Sequence, residues 1–160
     1  MAKVKRLLQV RSYPAFASTA ILLMRLIAGT GFVLHGWGKI QNPFAWMGPA
    51  PVPGFFQFLA ALSEFGGGIA WVIGLLTPLA SLGIGFTMLV AVNLHLIVLK
   101  DPFVNPTGGS SYEPALVYLG VAVLFLALGP GKFSSDAKVF GDKKDQNHFT
   151  LKQQYHGMNN

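Results

Sequence analysis

The sequence contains no cysteine and carries little charge between its two ends. Without cysteine, its 160 residues can form no disulfide, no thiolate metal site and no thiol relay. Charged residues make up 11% of the chain, where a soluble domain has about 25%, and the mean hydropathy is +0.49. The net charge of +6 does not indicate a nucleic-acid groove, because the basic residues lie near the two ends. This composition favours a membrane protein.

Four apolar segments predict an all-α, polytopic membrane protein built as a four-helix bundle. The first segment resembles the start of a signal peptide, but it is too long and contains Arg25. We therefore interpret residues 18–131 as one transmembrane domain, between a basic N-terminus (1–17) and a polar tail (132–160). The predicted spans are residues 18–40, 55–76, 78–99 and 113–129.

Basic residues near the ends of the spans predict the orientation of the bundle. Four precede the first span and five follow the fourth, whereas the loops at the opposite ends hold only Lys39 and Lys100. Positive charge is enriched in cytoplasmic segments, so both termini are predicted to be cytoplasmic. An even number of spans agrees with that orientation.

One carboxylate, Glu64, lies in the middle of the second apolar segment. An ionised carboxylate in a bilayer costs roughly 3 kcal/mol or more, so Glu64 needs a partner inside the bundle. Gly67 and Gly68 follow three and four residues later and share its helix face, where they would let another helix approach closely. Gly29, Gly31, Gly36 and Gly38 of the first span are interpreted as packing sites as well.

Further polar groups fall on the same side of the membrane as Glu64. Asn93 and His95 point to nearly opposite helix faces, and we expect His95 to face the bundle. Glu113 precedes Pro114 and is predicted to cap the fourth helix. The set predicted to converge around Glu64 is His35, Lys39, His95 and Glu113.

This set has two chemical interpretations. Histidines, carboxylates and a lysine in a dry bundle could exchange protons or bind a polar headgroup. Alternatively, Glu64 pairs with Arg25, Lys39 or a histidine only to fix the order of the helices. A metal site at His35, Glu64 and His95 lacks the close spacing of a zinc motif, so no metal is predicted.

The motifs, taken in order, resemble the DoxX family of small bacterial membrane proteins over about residues 20–137. That resemblance implies a multi-pass protein of the bacterial inner membrane, related to the membrane subunits of thiosulfate:quinone oxidoreductase. The matching segments are Arg25-Leu26-Ile27, His35-Gly36-Trp37-Gly38-Lys39-Ile40, Glu64-Phe65-Gly66-Gly67-Gly68, Gly74-Leu75-Leu76-Thr77-Pro78, His95, Tyr112-Glu113 and Gly129-Pro130-Gly131-Lys132-Phe133-Ser134-Ser135-Asp136.

From the resemblance and the polar cluster, we expect a subunit of a redox complex with a pocket for a quinone-type headgroup. The expected ligand-binding residues are His35, Lys39, Glu64, His95 and Glu113, of which Glu64, His35 and His95 are candidates for proton exchange. No covalent cofactor is expected; electrons would come from another membrane subunit or a soluble redox partner. The alternatives are a non-catalytic assembly subunit and, less favoured, transport of a small solute or proton.

Overall fold

The computed structural model describes residues 10–11 and 13–141 of the chain. Most of the basic residues that predict the orientation lie outside these ranges, as does the tail beyond Gly141. The described part is all-helical, with no strand, which confirms the predicted all-α class. Its elements are α1 (Ala15–Gln41), α2 (Gly54–Ile73), α3 (Thr77–Asn93), a π-helical segment (Leu94–Val98), α4 (Glu113–Leu128) and α5 (Ser135–Phe140).

Three of these helices are long and apolar enough to cross a membrane. They are Ala15–Gln41, Gly54–Ile73 and the continuous helix Thr77–Val98. The fourth, Glu113–Leu128, is also apolar but has 16 residues, or about 24 Å of helix against a hydrocarbon core of about 30 Å. A multi-pass membrane protein follows from these helices, while four crossings and cytoplasmic termini stay predictions.

Glycines bring the backbones of α1 and α2 into direct contact. A Cβ atom on Gly68 would lie 2.7 Å from the nitrogen of Val33 and 2.8 Å from the oxygen of Gly29. Gly67 faces the other way, where a Cβ would lie 3.0 Å from the side chain of Ile84 on α3. The predicted packing role is therefore confirmed for these glycines. It is wrong for Gly38, since a Cβ there would meet nothing within 4 Å in the described structure.

Trp71 of α2 lies at the centre of the bundle and is fully buried. Its ring packs edge-on against Phe32 of α1 and Phe125 of α4, at centroid distances of 5.4 and 4.8 Å. Its indole N–H donates to the hydroxyl of Ser81 on α3 at 2.9 Å, so the one polar atom of the ring is satisfied. One side chain thus contacts α1, α3 and α4.

Arg25 of α1 caps the end of α2 opposite to the Glu64 region. The guanidinium is 1% exposed and donates to the carbonyls of Trp71 and Val72 at 2.8 and 3.0 Å. These carbonyls belong to the last turn of a helix, which has no partners for them within the helix. Arg25 also donates to the carbonyls of Pro130 and Phe133, each at 3.0 Å. It therefore ties α1, α2 and the segment after α4 together.

Asp136 completes the same end of the bundle from α5. Its carboxylate accepts from the backbone nitrogens of Leu76 and Thr77 at 2.7 and 2.9 Å, at the start of α3. The N-terminus of a helix favours negative charge, so the carboxylate stabilises the α2–α3 turn. Asp136 is 1% exposed. Residues 132–160 were predicted to form a polar tail. Within them, Ser135–Phe140 forms α5, which packs on the bundle.

Candidate functional site

An ion pair between α1 and α2 forms the centre of the site. The ammonium of Lys39 lies 2.6 and 2.7 Å from the two carboxylate oxygens of Glu64. The Glu64 side chain is 4% exposed, whereas that of Lys39 is 26% exposed, so the lysine faces the open side of the pair. Of the three partners predicted for Glu64 in the structural interpretation, Lys39 is the one found. Arg25 instead binds carbonyls at the other end of α2.

The indole of Trp46 covers the ammonium from the loop between α1 and α2. The Nζ atom of Lys39 lies 4.5 Å from the ring centroid, which adds a cation–π attraction. Trp46 is held by Gln57, whose backbone carbonyl accepts from the indole N–H at 2.9 Å. The buried amide of Gln57 also accepts from the nitrogen of Met47 and donates to the carbonyl of Val52. Gln57 was missed in the sequence because it interrupts the second apolar segment only once.

A cavity of about 220 Å³ opens beside the ion pair. Four of the five residues predicted to bind a ligand line it: His35, Lys39, Glu64 and His95. Glu64 and both membrane histidines therefore line one cavity, and ligand binding there stays a prediction. The remaining wall is mostly apolar and consists of Phe32, Met88, Ala91, Ser111, Pro114, Ala115 and Tyr118.

Glu113 is the predicted site residue that does not line this cavity. It is the first residue of α4, and Tyr112, which occupies the cap position, makes no side-chain cap hydrogen bond. Glu113 is therefore not the cap residue, but it lies in the first turn of α4, where the helix dipole favours negative charge as predicted. Asn93 also lies outside the lining and is exposed, in agreement with the choice of His95 over Asn93.

Tyr118 of α4 forms a wall of the cavity that the sequence analysis did not identify. Its ring lies 4.7 Å from that of Phe32 and 6.4 Å from the imidazole of His35, centroid to centroid. A hydroxyl within the otherwise apolar fourth segment is the sequence signal that could have indicated it. Through Tyr118, α4 reaches α1 across the cavity.

Asp101 is a third residue that was missed in the sequence. One of its carboxylate oxygens lies 2.7 Å from Nδ1 of His95, and its backbone nitrogen donates to the carbonyl of His95 at 2.8 Å. The side chain of Asp101 is 20% exposed and that of His95 is 30% exposed.

In the described residues, no group of three or more histidine or acidic side chains is arranged to hold a metal ion.

Comparison with known proteins identifies the family. The family model described as DoxX matches residues 20–98. A curated relative, "Inner membrane protein YqjF" of Escherichia coli (strain K12), is 33% identical over 120 residues, which cover 72% of this chain and 88% of the relative. The chain belongs to the DoxX family. "Putative oxidoreductase CatD" of Bacillus subtilis (strain 168) is 29% identical over 130 residues, covering 79% of this chain and 91% of that relative. No solved structure matches.

This DoxX protein is a multi-pass protein of the bacterial inner membrane, as its relative and its apolar helices indicate. The matched segment contains most of α1 and all of α2, α3 and the π-helical segment, and with them Arg25, Lys39, Glu64 and His95. Asp101 and Tyr118 follow it in the chain. The ion pair and both histidines of the cavity therefore belong to the part of this DoxX protein that the family model covers.

Proposed function

We propose that this DoxX protein is a membrane subunit of a redox complex and binds the headgroup of a quinone-type lipid in the cavity beside Lys39 and Glu64. The observation that carries the proposal is an ion pair with a buried carboxylate, whose lysine opens onto a cavity shared with two histidines. Intramembrane ionisable groups are costly and are commonly retained for function. A relative whose name contains the word oxidoreductase gives the proposal some support.

The size and the walls of the cavity suit a single substituted ring. Its volume of about 220 Å³ is smaller than the roughly 300–1,000 Å³ of pockets for drug-sized ligands, so an isoprenoid tail would extend outside it. Phe32 and Tyr118 offer aromatic faces against which a ring can pack. Beside this apolar wall, the cavity is lined by the polar residues His35, Lys39, Glu64 and His95. A mostly apolar pocket with a few polar groups is typical of sites that orient a small ligand.

Each polar residue has a chemical role in this proposal. Reduction of a quinone consumes two electrons, supplied by a redox partner, and two protons. Lys39 donates a hydrogen bond to a ring oxygen, while Glu64 holds the ammonium in place and balances its charge. His35 and His95 exchange protons with the ligand, because imidazole changes its charge near neutral pH. Four membrane crossings with cytoplasmic termini, also proposed, would place this cavity on the periplasmic side.

Replacing Glu64 with glutamine tests the proposal. The amide cannot neutralise Lys39, so the ammonium loses its fixed position and we expect the affinity for a short-chain benzoquinone to fall at least about tenfold. Lys39→Gln should cause a similar loss. The measurement is titration of the purified protein in detergent, together with extraction and quantification of co-purified lipid quinone.

Lys138→Gln is the matched control for Lys39→Gln. Lys138 is an exposed lysine of α5 and does not line the cavity, so its replacement should leave the affinity unchanged. The proposal is wrong if the wild-type protein carries no quinone and binds none, or if Glu64→Gln binds as tightly as wild type.

The second candidate function is that of a non-catalytic assembly subunit. It is favoured by the geometry of the ion pair, which joins α1, α2 and Trp46 in one cluster whether or not a ligand is present. In that case Glu64→Gln lowers thermal stability and the yield of co-purified partner subunits, while no quinone is found in either protein. Measuring stability and quinone content on the same samples separates the two functions.

A further inference from the structure

The backbone beyond α3 folds so that Asp101 returns to His95. Along a regular α-helix, a residue six positions after His95 would lie about 9 Å further on and roughly 240° around the axis. Here the helix widens into the π-helical segment Leu94–Val98, in which the nitrogen of Leu99 bonds to the carbonyl of Leu94. Lys100 then adopts a left-handed conformation, with φ of 56°. These two local departures turn the chain back and place Asp101 on His95.

This contact determines which ring nitrogen of His95 carries a proton. An ionised carboxylate only accepts hydrogen bonds, so the nitrogen 2.7 Å from Asp101 must be protonated, and that nitrogen is Nδ1. In the neutral ring, Nε2 is then unprotonated and can only accept. No described residue donates to Nε2. Since His95 lines the cavity, the hydrogen-bonding capacity that its neutral ring keeps for a ligand there is that of an acceptor.

The opposite side of the cavity offers a hydrogen-bond donor. The ammonium of Lys39 can only donate, and both oxygens of Glu64 already accept from it. A quinone oxygen accepts hydrogen bonds but cannot donate one. It can therefore accept from Lys39, but it offers no donor to Nε2 of His95. The hydroxyl groups of a hydroquinone both accept and donate, so the reduced ligand can satisfy Lys39 and His95 together.

We propose that Asp101 is a positioning residue that fixes the Nδ1–H tautomer of His95 and so makes the cavity selective for the reduced, hydroquinone form of its ligand. This inference rests on the function proposed above. Asp101 acts through His95 and does not touch the ligand. The proposal concerns binding alone, and no electron or proton transfer step is part of it.

The test combines a spectroscopic measurement with a binding measurement. Ring ¹⁵N chemical shifts of His95, assigned by comparison with His95→Gln, report the tautomer in detergent at about pH 8, where histidine is ordinarily neutral. We expect Nδ1–H in the wild type and Nε2–H in Asp101→Asn. Anaerobic titration with a decyl-substituted benzoquinone and with its hydroquinone should show about tenfold tighter binding of the hydroquinone to the wild type. Asp101→Asn should lose that preference.

A double-mutant cycle provides the control. In a His95→Gln background, Asp101→Asn should change neither affinity further, because its effect passes through the imidazole. Asp101→Glu, which keeps a carboxylate, should recover at least part of the preference. An Nε2–H tautomer in the wild type, or an unchanged preference in Asp101→Asn, overturns the role of Asp101. If the tautomers are as expected but neither the quinone nor the hydroquinone binds, the quinone proposal itself is overturned, and the selectivity with it.

Discussion

Replacing Arg25 with methionine is expected to remove most of the stability of the bundle. Four carbonyls would lose their buried donor, each at a cost of about 1–3 kcal/mol, against a total stability of about 5–15 kcal/mol for a typical protein. Methionine has a similar length and no donor. At roughly 2–4 °C per kcal/mol for a chain of this size, the unfolding midpoint should fall by at least about 8 °C. Gel filtration after heating measures it.

Arg11→Met is the control for this prediction. Arg11 also donates to a helix carbonyl, that of Ala127 at 2.9 Å, but from an exposed position where water can replace it. We expect a change within about 0.5 kcal/mol. Arg25→Lys should fall between the two, since one ammonium cannot reproduce the planar fork of a guanidinium. If Arg25→Met unfolds within 2 °C of the wild type, as we expect for the control, the capping role is refuted.

The sequence predicts the helices well because a bilayer imposes simple demands on it. Long apolar segments and the glycines near Glu64 show where helices run and where they pack closely. The polar residues of α1, α2 and α3 could be placed in one cavity because their spacing and depth along regular helices fix their positions. His35, Lys39, Glu64 and His95 are found there for that reason.

The rest depends on irregular backbone, which hydropathy does not show. Asp101 reaches His95 only through a π-helical segment and a left-handed residue, so no helical periodicity connects the two. Arg25 binds backbone carbonyls, and these groups are present in every sequence. Glu113 was predicted as the cap residue because proline is common at the first position of a helix, whereas Pro114 is the second residue of α4.

Replacing Gly36 with alanine is expected to force α1 and α2 apart beside the ion pair. A Cβ atom at this position would lie 2.5 Å from the nitrogen of Phe65 and 2.8 Å from its Cα, next to Glu64 in the chain. These are backbone atoms, which cannot move without shifting the whole helix. Overpacking of this kind costs about 1–3 kcal/mol. We expect both a lower unfolding midpoint and weaker binding in the cavity, because the separation of the helices disturbs the contact between Lys39 and Glu64.

Gly38→Ala makes the same chemical change two residues further along α1. Among the described residues, a Cβ there would meet nothing within 4 Å, and alanine favours a helix over glycine by about 1 kcal/mol, so stability should stay equal or rise. Parallel titrations and heating of the two variants measure the difference. Equal losses in both would mean that helix propensity or the surrounding detergent decides the outcome. A loss confined to Gly36→Ala would show that the site depends on direct backbone contact between α1 and α2.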